Sequence, residues 1–181
     1  NADILLQAYD TLKGSFDPEY GGFGTAPKFP QPMALEFLLR HHHRTKTPQA
    51  LSMLETSLEH MARGGIYDHL GGGFHRYSTD PFWLVPHFEK MLYDNALLSR
   101  LYLHTYQATG NPFYSGVAQE ILDYILREMT DSQGGFYSTQ DADSEGEEGK
   151  YFVWTPGEIE MAIGSHDSAV LQRYFGVTNE G

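Results

Sequence analysis

The sequence contains no cysteine, which excludes disulfides, thiolate catalysis and thiolate metal ligands within the chain. Basic residues are scarce: 12 lysines and arginines stand against 24 aspartates and glutamates, and the formal net charge is −12. Nucleic acids and anionic membranes are bound through basic surfaces, so neither is expected as a partner. No apolar stretch approaches the roughly 20 residues that a membrane span requires. A signal-peptide pattern is also lacking, and the expected location is cytoplasmic.

Apolar and aromatic residues, in contrast, are plentiful. Of the 181 residues, 40% are hydrophobic and 14% are aromatic. This composition predicts a globular chain that buries a sizeable core, and we expect residues 1–181 to form a single domain. The last residues carry no helix stop signal, so we also expect the chain to be a segment of a longer protein.

A loop with paired glycines and an aromatic residue recurs along the chain. Its copies lie at 17–24, 71–74 and 131–137. Apolar residues at spacings of three and four predict helices around these loops. The predicted helices are 3–12, 33–43, 48–63, 86–107, 112–129, 156–163 and 167–174, and short strands are predicted at 74–77 and 151–154. Helix pairs that repeat at roughly fifty to sixty residues are typical of a solenoid or a closed helical ring, so the expected fold class is all-α.

Residues 83–95 read WLVPHFEKMLYDN and combine many reactive groups with apolar residues. The proline predicts the first turn of a helix, where His87 would meet unpaired backbone N–H groups. The positive helix end favours a neutral imidazole, so His87 is a candidate general base, with Glu89 or Asp94 to orient it or to carry a second proton. The purely structural alternative is that Glu89 complements the helix dipole and that Asp94 and Asn95 cap a neighbouring loop.

The preceding loop brings further polar groups into the same region. Asp68, His69, His75 and Arg76 surround three consecutive glycines, and Trp83 follows closely. Glycine allows a backbone to approach a ligand, so this composition indicates a polar-ligand site with an aromatic face for stacking. A rigid loop whose histidines and aspartate bond only to backbone is the alternative.

The acidic segment near residue 141 partly matches a calcium loop. Asp141, Asp143 and Glu145 fit the first half of an EF-hand, but the twelfth position is Phe152 instead of glutamate. We therefore favour a solvated acidic loop, with Asp141 and Asp143 at the rim of a pocket.

Clustered histidines do not predict a metal site either. His69, His75 and His87 have spacings of six and twelve, which match no standard zinc pattern. The histidines at 41–43 close a predicted helix, where solvated C-terminal cations are expected. No metal and no cofactor are predicted.

Four long motifs resemble those of one known family. They are GGFGTAPKFP at 21–30, GGIYDHLGGGFHRY at 64–77, WLVPHFEKMLYDNA at 83–96 and DADSEGEEG at 141–149. The chain resembles the spermatogenesis-associated protein 20 family, also called the YyaL family. That resemblance implies an (α/α)6 toroid, similar to six-hairpin glycosidases and N-acylglucosamine 2-epimerases, of which this chain would be the first half. It also implies an upstream thioredoxin-like domain in the parent chain as a partner.

The resemblance also suggests a carbohydrate as the small-molecule partner. In related sugar epimerases, histidines remove and return a proton next to a carbonyl, whereas aspartates act as acid and base in related unsaturated glucuronyl hydrolases. The candidate catalytic residues are His87, His75, His69, Asp68, Glu89 and Asp94. The candidate substrate-binding residues are Arg76, Trp83, Tyr93, Asn95, Asp141 and Asp143.

Three functions follow as hypotheses. The first is epimerisation or isomerisation, with His87 as the base and His75 or His69 as its partner. The second is glycoside hydrolysis by paired carboxylates. The third is a non-catalytic binding module that serves a fused thioredoxin-like domain. Because further helices would complete the pocket, the segment alone is expected to be inactive.

Overall fold

The computed structural model describes residues 2–179, and these are mainly helical. The helices are α1 (Ala2–Ser15), α2 (Pro32–Thr45), α3 (Pro48–Arg63), α4 (Leu92–Thr109), α5 (Pro112–Glu128), α6 (Pro156–Ile163) and α7 (Ser165–Phe175). Two-residue strands are β1 (Tyr77–Ser78), β2 (Pro86–His87), β3 (Lys90–Met91), β4 (Thr139–Gln140), β5 (Asp143–Ser144) and β6 (Glu147–Glu148). They form the antiparallel pairs β1–β2, β3–β4 and β5–β6.

The chain divides into two compact units. The first is Asn1–Ala142 and holds α1 to α5, and the second is Asp143–Gly181 and holds α6 and α7. Whether residues 1–181 form a single domain stays a prediction. Among the described residues, the helices are all too short or too polar to cross a membrane.

Helix pairs build the core of the first unit, with α2 against α3 and α4 against α5. Leu54, Leu58, Leu98 and Tyr102 are almost completely buried there. Burial of such side chains is the main favourable term in folding. The Tyr102 hydroxyl donates to the Leu58 carbonyl oxygen at 2.7 Å, so the phenol that packs α4 into the core also satisfies its polar atom.

Local chemistry explains where some helices begin. Helices α3 and α6 occupy their predicted ranges, and both start at a proline, whose fixed φ suits a first helical turn. Before α6, Thr155 forms a capping box: its backbone N–H donates to Glu158 Oε2 at 2.8 Å, and its hydroxyl accepts from the Glu158 N–H at 3.4 Å.

The prediction of a helix from Pro86 was wrong, because α4 begins at Leu92. The intervening backbone pairs with other strands: Pro86–His87 with β1 and Lys90–Met91 with β4. The predicted strand at 151–154 is also wrong. Its residues form turns in which the N–H groups of Phe152 and Val153 donate to Gly149 O at 2.8 and 3.1 Å.

One of the histidines at 41–43 differs from expectation. His41 is only 6% exposed and stacks on Tyr9, with ring centroids 4.3 Å apart. Burial lowers the pKa of His41 below its ordinary value, so it is not the solvated cation that the sequence suggested.

The three recurring loops share one backbone arrangement. In each, the aspartate N–H donates to the carbonyl oxygen of the last glycine before the aromatic residue, and the N–H of the glycine before it donates back to the aspartate carbonyl oxygen. The bonds donated by the aspartate N–H are Asp17 to Gly22 at 3.0 Å, Asp68 to Gly73 at 3.0 Å and Asp131 to Gly135 at 3.1 Å. The bonds donated by the glycine N–H are Gly21 to Asp17 at 2.9 Å, Gly72 to Asp68 at 2.8 Å and Gly134 to Asp131 at 2.9 Å. The sequence repeat is therefore a structural repeat.

A buried lysine locks the first loop. Lys28 is 0% exposed, and its Nζ donates to Asp17 Oδ2 at 2.6 Å, to Gly21 O at 2.9 Å and to Pro81 O at 2.9 Å. Three oxygen acceptors satisfy all three ammonium hydrogens, which is the condition for burying such a charge.

Candidate functional site

Two short strand pairs gather polar groups in front of α4. Pairing of β1 with β2 places Tyr77 opposite His87, and pairing of β3 with β4 places Met91 opposite Thr139. The resulting acid–base cluster consists of Arg76, His87, Glu89, Tyr93 and Asp94. Arg76 follows the second glycine loop, and the other four residues lie within the stretch 87–94.

Glu89 lies at the centre of this cluster. Its Oε2 accepts a hydrogen bond from Arg76 Nη1 at 3.1 Å, and its Oε1 accepts from Thr139 Oγ1 at 3.1 Å. The Glu89 carboxylate, followed by the side chain of Tyr93, raises the pKa of Arg76 above its ordinary value. Glu89 is thus a fixed carboxylate held by a cation and a hydroxyl.

His87 is positioned by its ring face and by Glu89. The imidazole stacks on Tyr77 with centroids 4.9 Å apart, and its Nε2 lies 3.6 Å from Glu89 Oε2. Through these two contacts, Tyr77 and Glu89 orient the imidazole ring. The expected helix-end effect on His87 does not apply, since the residue lies in β2 and not in a helix.

Asp94 is a buried acid in the first turn of α4. It is 9% exposed, and its Oδ2 has no hydrogen-bond partner within residues 2–179. Burial raises the pKa of Asp94 to about 6; the charge of Arg76 opposes this shift and that of Glu89 adds to it. Asp94 therefore exchanges its proton much closer to neutral pH than an ordinary aspartate does.

His75 lies close to His87 but is buried. It is 2% exposed, and its Nδ1 lies 2.9 Å from the Phe88 carbonyl oxygen, so this nitrogen carries the hydrogen. Burial, followed by the charge of Lys90, lowers the pKa of His75 to about 4. A neutral, buried ring is a poor second proton shuttle, which counts against the expected role of His75.

The structure places His69 against a different set of groups. Its Nε2 lies 3.0 Å from the Gly64 carbonyl oxygen, and its ring meets Tyr67 edge-on at 5.4 Å. The ring itself is exposed. His69 and His87 thus have separate surroundings, and a pairing of the two stays a prediction.

Asp68 repeats the role of Asp17 instead of facing a ligand. Its Oδ2 accepts from Lys90 Nζ at 2.7 Å, and its Oδ1 accepts from the N–H groups of Leu70 and Gly71 at 3.0 and 2.8 Å. Burial alone would raise its pKa, but Lys90 and these N–H groups hold the pKa of Asp68 below its ordinary value. We correct its assignment from catalytic acid to loop-closing carboxylate.

Lys90 is the residue that the sequence reasoning missed. It is 1% exposed, its Nζ donates to Gly72 O at 2.9 Å, and it lies 4.4 Å from the Tyr124 ring centre. Burial lowers the pKa of Lys90, whereas Asp68 opposes this effect. A lysine downstream of each of the first two glycine loops was the available signal.

Trp83 and Asn95 are buried and hold the framework together. Their assignment as ligand-binding residues is therefore corrected. Trp83 is 0% exposed, and its indole N–H donates to Tyr20 O at 2.8 Å, so neither face can stack on a sugar. Asn95 is 0% exposed; its Oδ1 accepts from Phe74 N at 2.7 Å and its Nδ2 donates to Phe74 O and Met91 O at 3.0 Å. Tyr93, in contrast, is 49% exposed and remains available.

The acidic segment forms a short hairpin. Asp143 lies in β5, which pairs with β6 through a turn at Glu145 and Gly146, both with positive φ (55° and 84°). Asp141 follows β4 directly, and both aspartates are exposed. Their position at a pocket rim stays a prediction. The described residues hold no group of three or more acidic or histidine side chains arranged for a metal.

A surface cavity of about 460 Å³ lies apart from the acid–base cluster. It is lined by Tyr20, His60, Arg63, Gly64, Phe82 and Leu84. It shares no residue with the cluster. The acid–base cluster, and not this cavity, is therefore the candidate site.

Comparison with known proteins bears out the family resemblance. No family model matches the chain. The chain is 44% identical to spermatogenesis-associated protein 20 of Homo sapiens, over 99% of this chain and 25% of that protein. It thus spans about a quarter of the length of this curated relative. The resemblance predicted from the motifs is confirmed over nearly the whole of this chain.

Solved structures establish the fold class. Cellobiose 2-epimerase from Spirochaeta thermophila DSM 6192 matches with a TM-score of 0.64 and 22% identity, over 76% of this chain and 39% of that one. An unsaturated glucuronyl hydrolase specific for heparin matches with a TM-score of 0.62 and 12% identity, over 95% of this chain and 52% of that one. At these identities the likeness concerns the fold alone. The predicted class of (α/α)6-toroid-like helical hairpins is confirmed.

Proposed function

We propose that the chain forms part of a carbohydrate-active toroid in which His87 exchanges a proton with a sugar, as in epimerisation or isomerisation. The observation that carries this proposal is the 3.6 Å distance between His87 Nε2 and Glu89 Oε2. A neutral imidazole removes a proton from the carbon next to a carbonyl, and the fixed Glu89 carboxylate stabilises the imidazolium that results. A fold shared with a cellobiose 2-epimerase supports the choice of substrate class.

Asp94 is the better partner for His87 in this reaction. Epimerisation requires a second group that returns the proton, and the sequence suggests His75 or His69 for this role. His75 is buried and its Nδ1–H is held by the Phe88 carbonyl oxygen. Asp94, with a pKa raised to about 6 by burial, is able to gain and lose a proton near neutral pH.

Glycoside hydrolysis is the second candidate, because the cluster contains two carboxyl groups in different environments. Glu89 is paired with Arg76, whereas burial raises the pKa of Asp94 to about 6. An ionised carboxylate in the same cluster as a carboxyl group of raised pKa is the arrangement on which glycosidases rely. One structural neighbour, an unsaturated glucuronyl hydrolase, belongs to this reaction class by its name.

The rest of the parent protein enters the proposal as well. Because the chain spans 25% of its human relative, helices outside it are available to complete the pocket. We propose that the complete toroid, next to a thioredoxin-like domain, is the active form and that the chain alone turns over slowly or not at all.

The test uses the full-length protein that contains this chain, with cellobiose and D-mannose in D₂O. Proton exchange next to the carbonyl replaces a carbon-bound hydrogen with deuterium, which NMR detects. His87→Gln should reduce this exchange by about 100-fold or more, whereas His43→Gln, a matched change at an exposed histidine of α2, should not. Full activity of His87→Gln would overturn the base assignment.

Two other outcomes would change the function. Release of new reducing ends, lost in Glu89→Gln and kept in His87→Gln, would favour hydrolysis. Sugar binding without any turnover would favour a non-catalytic binding module.

A further inference from the structure

Two buried polar atoms in the acid–base cluster have no hydrogen-bond partner within residues 2–179. They are Arg76 Nε, which is a donor, and Asp94 Oδ2, which is an acceptor. An unpartnered buried polar atom costs free energy, and most such atoms in folded proteins are paired. Two of them with opposite hydrogen-bonding character in one cluster indicate that a ligand supplies the missing bonds.

The two side chains lie close enough to interact. The charge of Arg76 acts on the pKa of Asp94, and so does that of Glu89, which is itself bonded to Arg76. Their backbones are also held in place. The Arg76 N–H donates to the Glu89 carbonyl oxygen at 2.8 Å, and Asn95, next to Asp94, clamps both backbone groups of Phe74. Such support keeps a binding geometry ready before a ligand arrives.

The cluster is open to solvent on one side. The side chain of Arg76 is 40% exposed, and Tyr93 beside it is 49% exposed. The two unpartnered atoms themselves are buried, so a ligand that enters from this side reaches them when the exposed side chains of Arg76 and Tyr93 move aside.

Charge selects the kind of ligand. An anion would be attracted by Arg76 but repelled by Asp94 and Glu89. A cation would be attracted by the two carboxylates but repelled by Arg76. A hydroxyl group carries no charge and both donates and accepts, so hydroxyls satisfy the two atoms together.

We propose that Arg76 and Asp94 form a hydroxyl clamp for a neutral sugar. Arg76 Nε–H donates to one hydroxyl oxygen of the ligand, and the same or an adjacent hydroxyl donates to Asp94 Oδ2. This inference rests on the proposed function for the substrate class. It deepens that function by assigning the contact that holds the sugar beside His87.

NMR of the Asp94 carboxyl carbon in the full-length protein that contains this chain tests the clamp, because helices outside the chain are proposed to complete the pocket. A hydroxyl that donates to Asp94 Oδ2 stabilises the charged form, so saturating cellobiose or D-mannose should lower the pKa of Asp94 from about 6. The matched control solute is 1,4-dioxane, which accepts hydrogen bonds but cannot donate them, and it should leave this pKa unchanged. A sugar that binds elsewhere on the chain while the Asp94 titration stays the same would overturn the clamp, as would the absence of any sugar binding.

Variants separate this inference from the proposed function. Asp94→Asn and Arg76→Met should each weaken sugar binding by about tenfold or more, because each removes a bond to a charged group. His43→Gln serves as the control, and circular dichroism confirms that each variant is folded. Unchanged affinity in Asp94→Asn overturns the clamp even if His87→Gln abolishes turnover. A sugar-dependent Asp94 titration in a full-length protein without turnover supports the clamp and removes the catalytic proposal.

Discussion

The Nζ atom of Lys90 donates a hydrogen bond to Oδ2 of Asp68 at 2.7 Å, and the lysine is 1% exposed. The first glycine loop contains the same pair, Lys28 with Asp17 at 2.6 Å. The second glycine loop directly precedes Arg76 of the acid–base cluster, whereas the first glycine loop contributes no residue to that cluster. The lysine–aspartate pair therefore has a structural role in both loops. The sequence alone suggested a reactive role for Asp68, because it lies close to three glycines.

Breaking the Lys90–Asp68 pair should destabilise the first unit strongly. Lys90→Met leaves the partly buried Asp68 carboxylate without its cation, and we expect a loss of about 4 kcal/mol in the free energy of unfolding. Urea unfolding monitored by circular dichroism measures this loss. Lys150→Met is the matched control, because Lys150 forms an exposed ion pair with Glu145 at 2.6 Å. This variant should unfold at the same urea concentration as the unaltered chain. Equal stability of both variants would contradict the structural role of this pair.

Asp94 should make stability depend on pH. Burial raises its pKa in the folded chain to about 6 from an ordinary value of 3.8, so the folded state binds the proton more tightly than the unfolded state does. The stabilisation is fully present below pH 3.8 and is lost as pH rises through about 6. Asp94→Asn removes this loss and should be more stable than the unaltered chain at pH 7.5 by up to about 3 kcal/mol, with no such gain at pH 3.5.

An aspartate with the opposite shift provides the control for this experiment. Tyr137 donates to Asp131 Oδ2 at 2.6 Å and lowers the pKa of Asp131. Asp131→Asn should therefore lose stability at neutral pH instead of gaining it. The urea midpoints of both variants are measured at pH 7.5 and at pH 3.5. If Asp94→Asn gains the same stability at both pH values, the raised pKa of Asp94 is not the cause of the gain.

The Asn95 clamp should be essential for folding of the loop. Asn95→Leu leaves the buried backbone groups of Phe74 without partners, and we expect a cost of about 3 kcal/mol. Gln107→Leu makes the same chemical change at an exposed position of α4 and should have little effect. Thermal and urea unfolding of the two variants measure the difference. If Asn95→Leu is as stable as Gln107→Leu, the clamp does not hold the loop.

Glycines of the repeated loop should differ in their tolerance of a methyl group. Gly73 has a φ of 80°, and an added Cβ would lie 2.5 Å from Tyr124 Cδ1. Gly134 has a similar φ of 93° but open space around it. Gly134→Ala should cost about 1 kcal/mol from backbone strain alone. Gly73→Ala should cost clearly more in urea unfolding, and equal costs would show that contact with Tyr124 is unimportant.

Several features were predictable from sequence because their causes are local. Helices α3 and α6 begin at prolines and follow the expected ranges, and the glycine loops recur because the aspartate and the glycines make their turns with one another. The all-α class follows from these elements, and the quoted motifs were sufficient to predict the family resemblance. Each of these predictions depended on residues within a few positions of each other.

Tertiary structure decided the start of α4 and the chemistry in front of it. Local propensity favoured a helix from Pro86, but β1 and β4 pair with residues 86–87 and 90–91 and keep them extended. Burial by distant residues placed Trp83 in the core and brought Lys90 to Asp68. It also left Asp94 Oδ2 and Arg76 Nε without hydrogen-bond partners among residues 2–179. The sequence alone determined the helices, the loops and the list of reactive side chains. Only long-range packing decided which of those side chains carry structure and which face a ligand, because burial and partner choice depend on contacts between residues far apart in the chain.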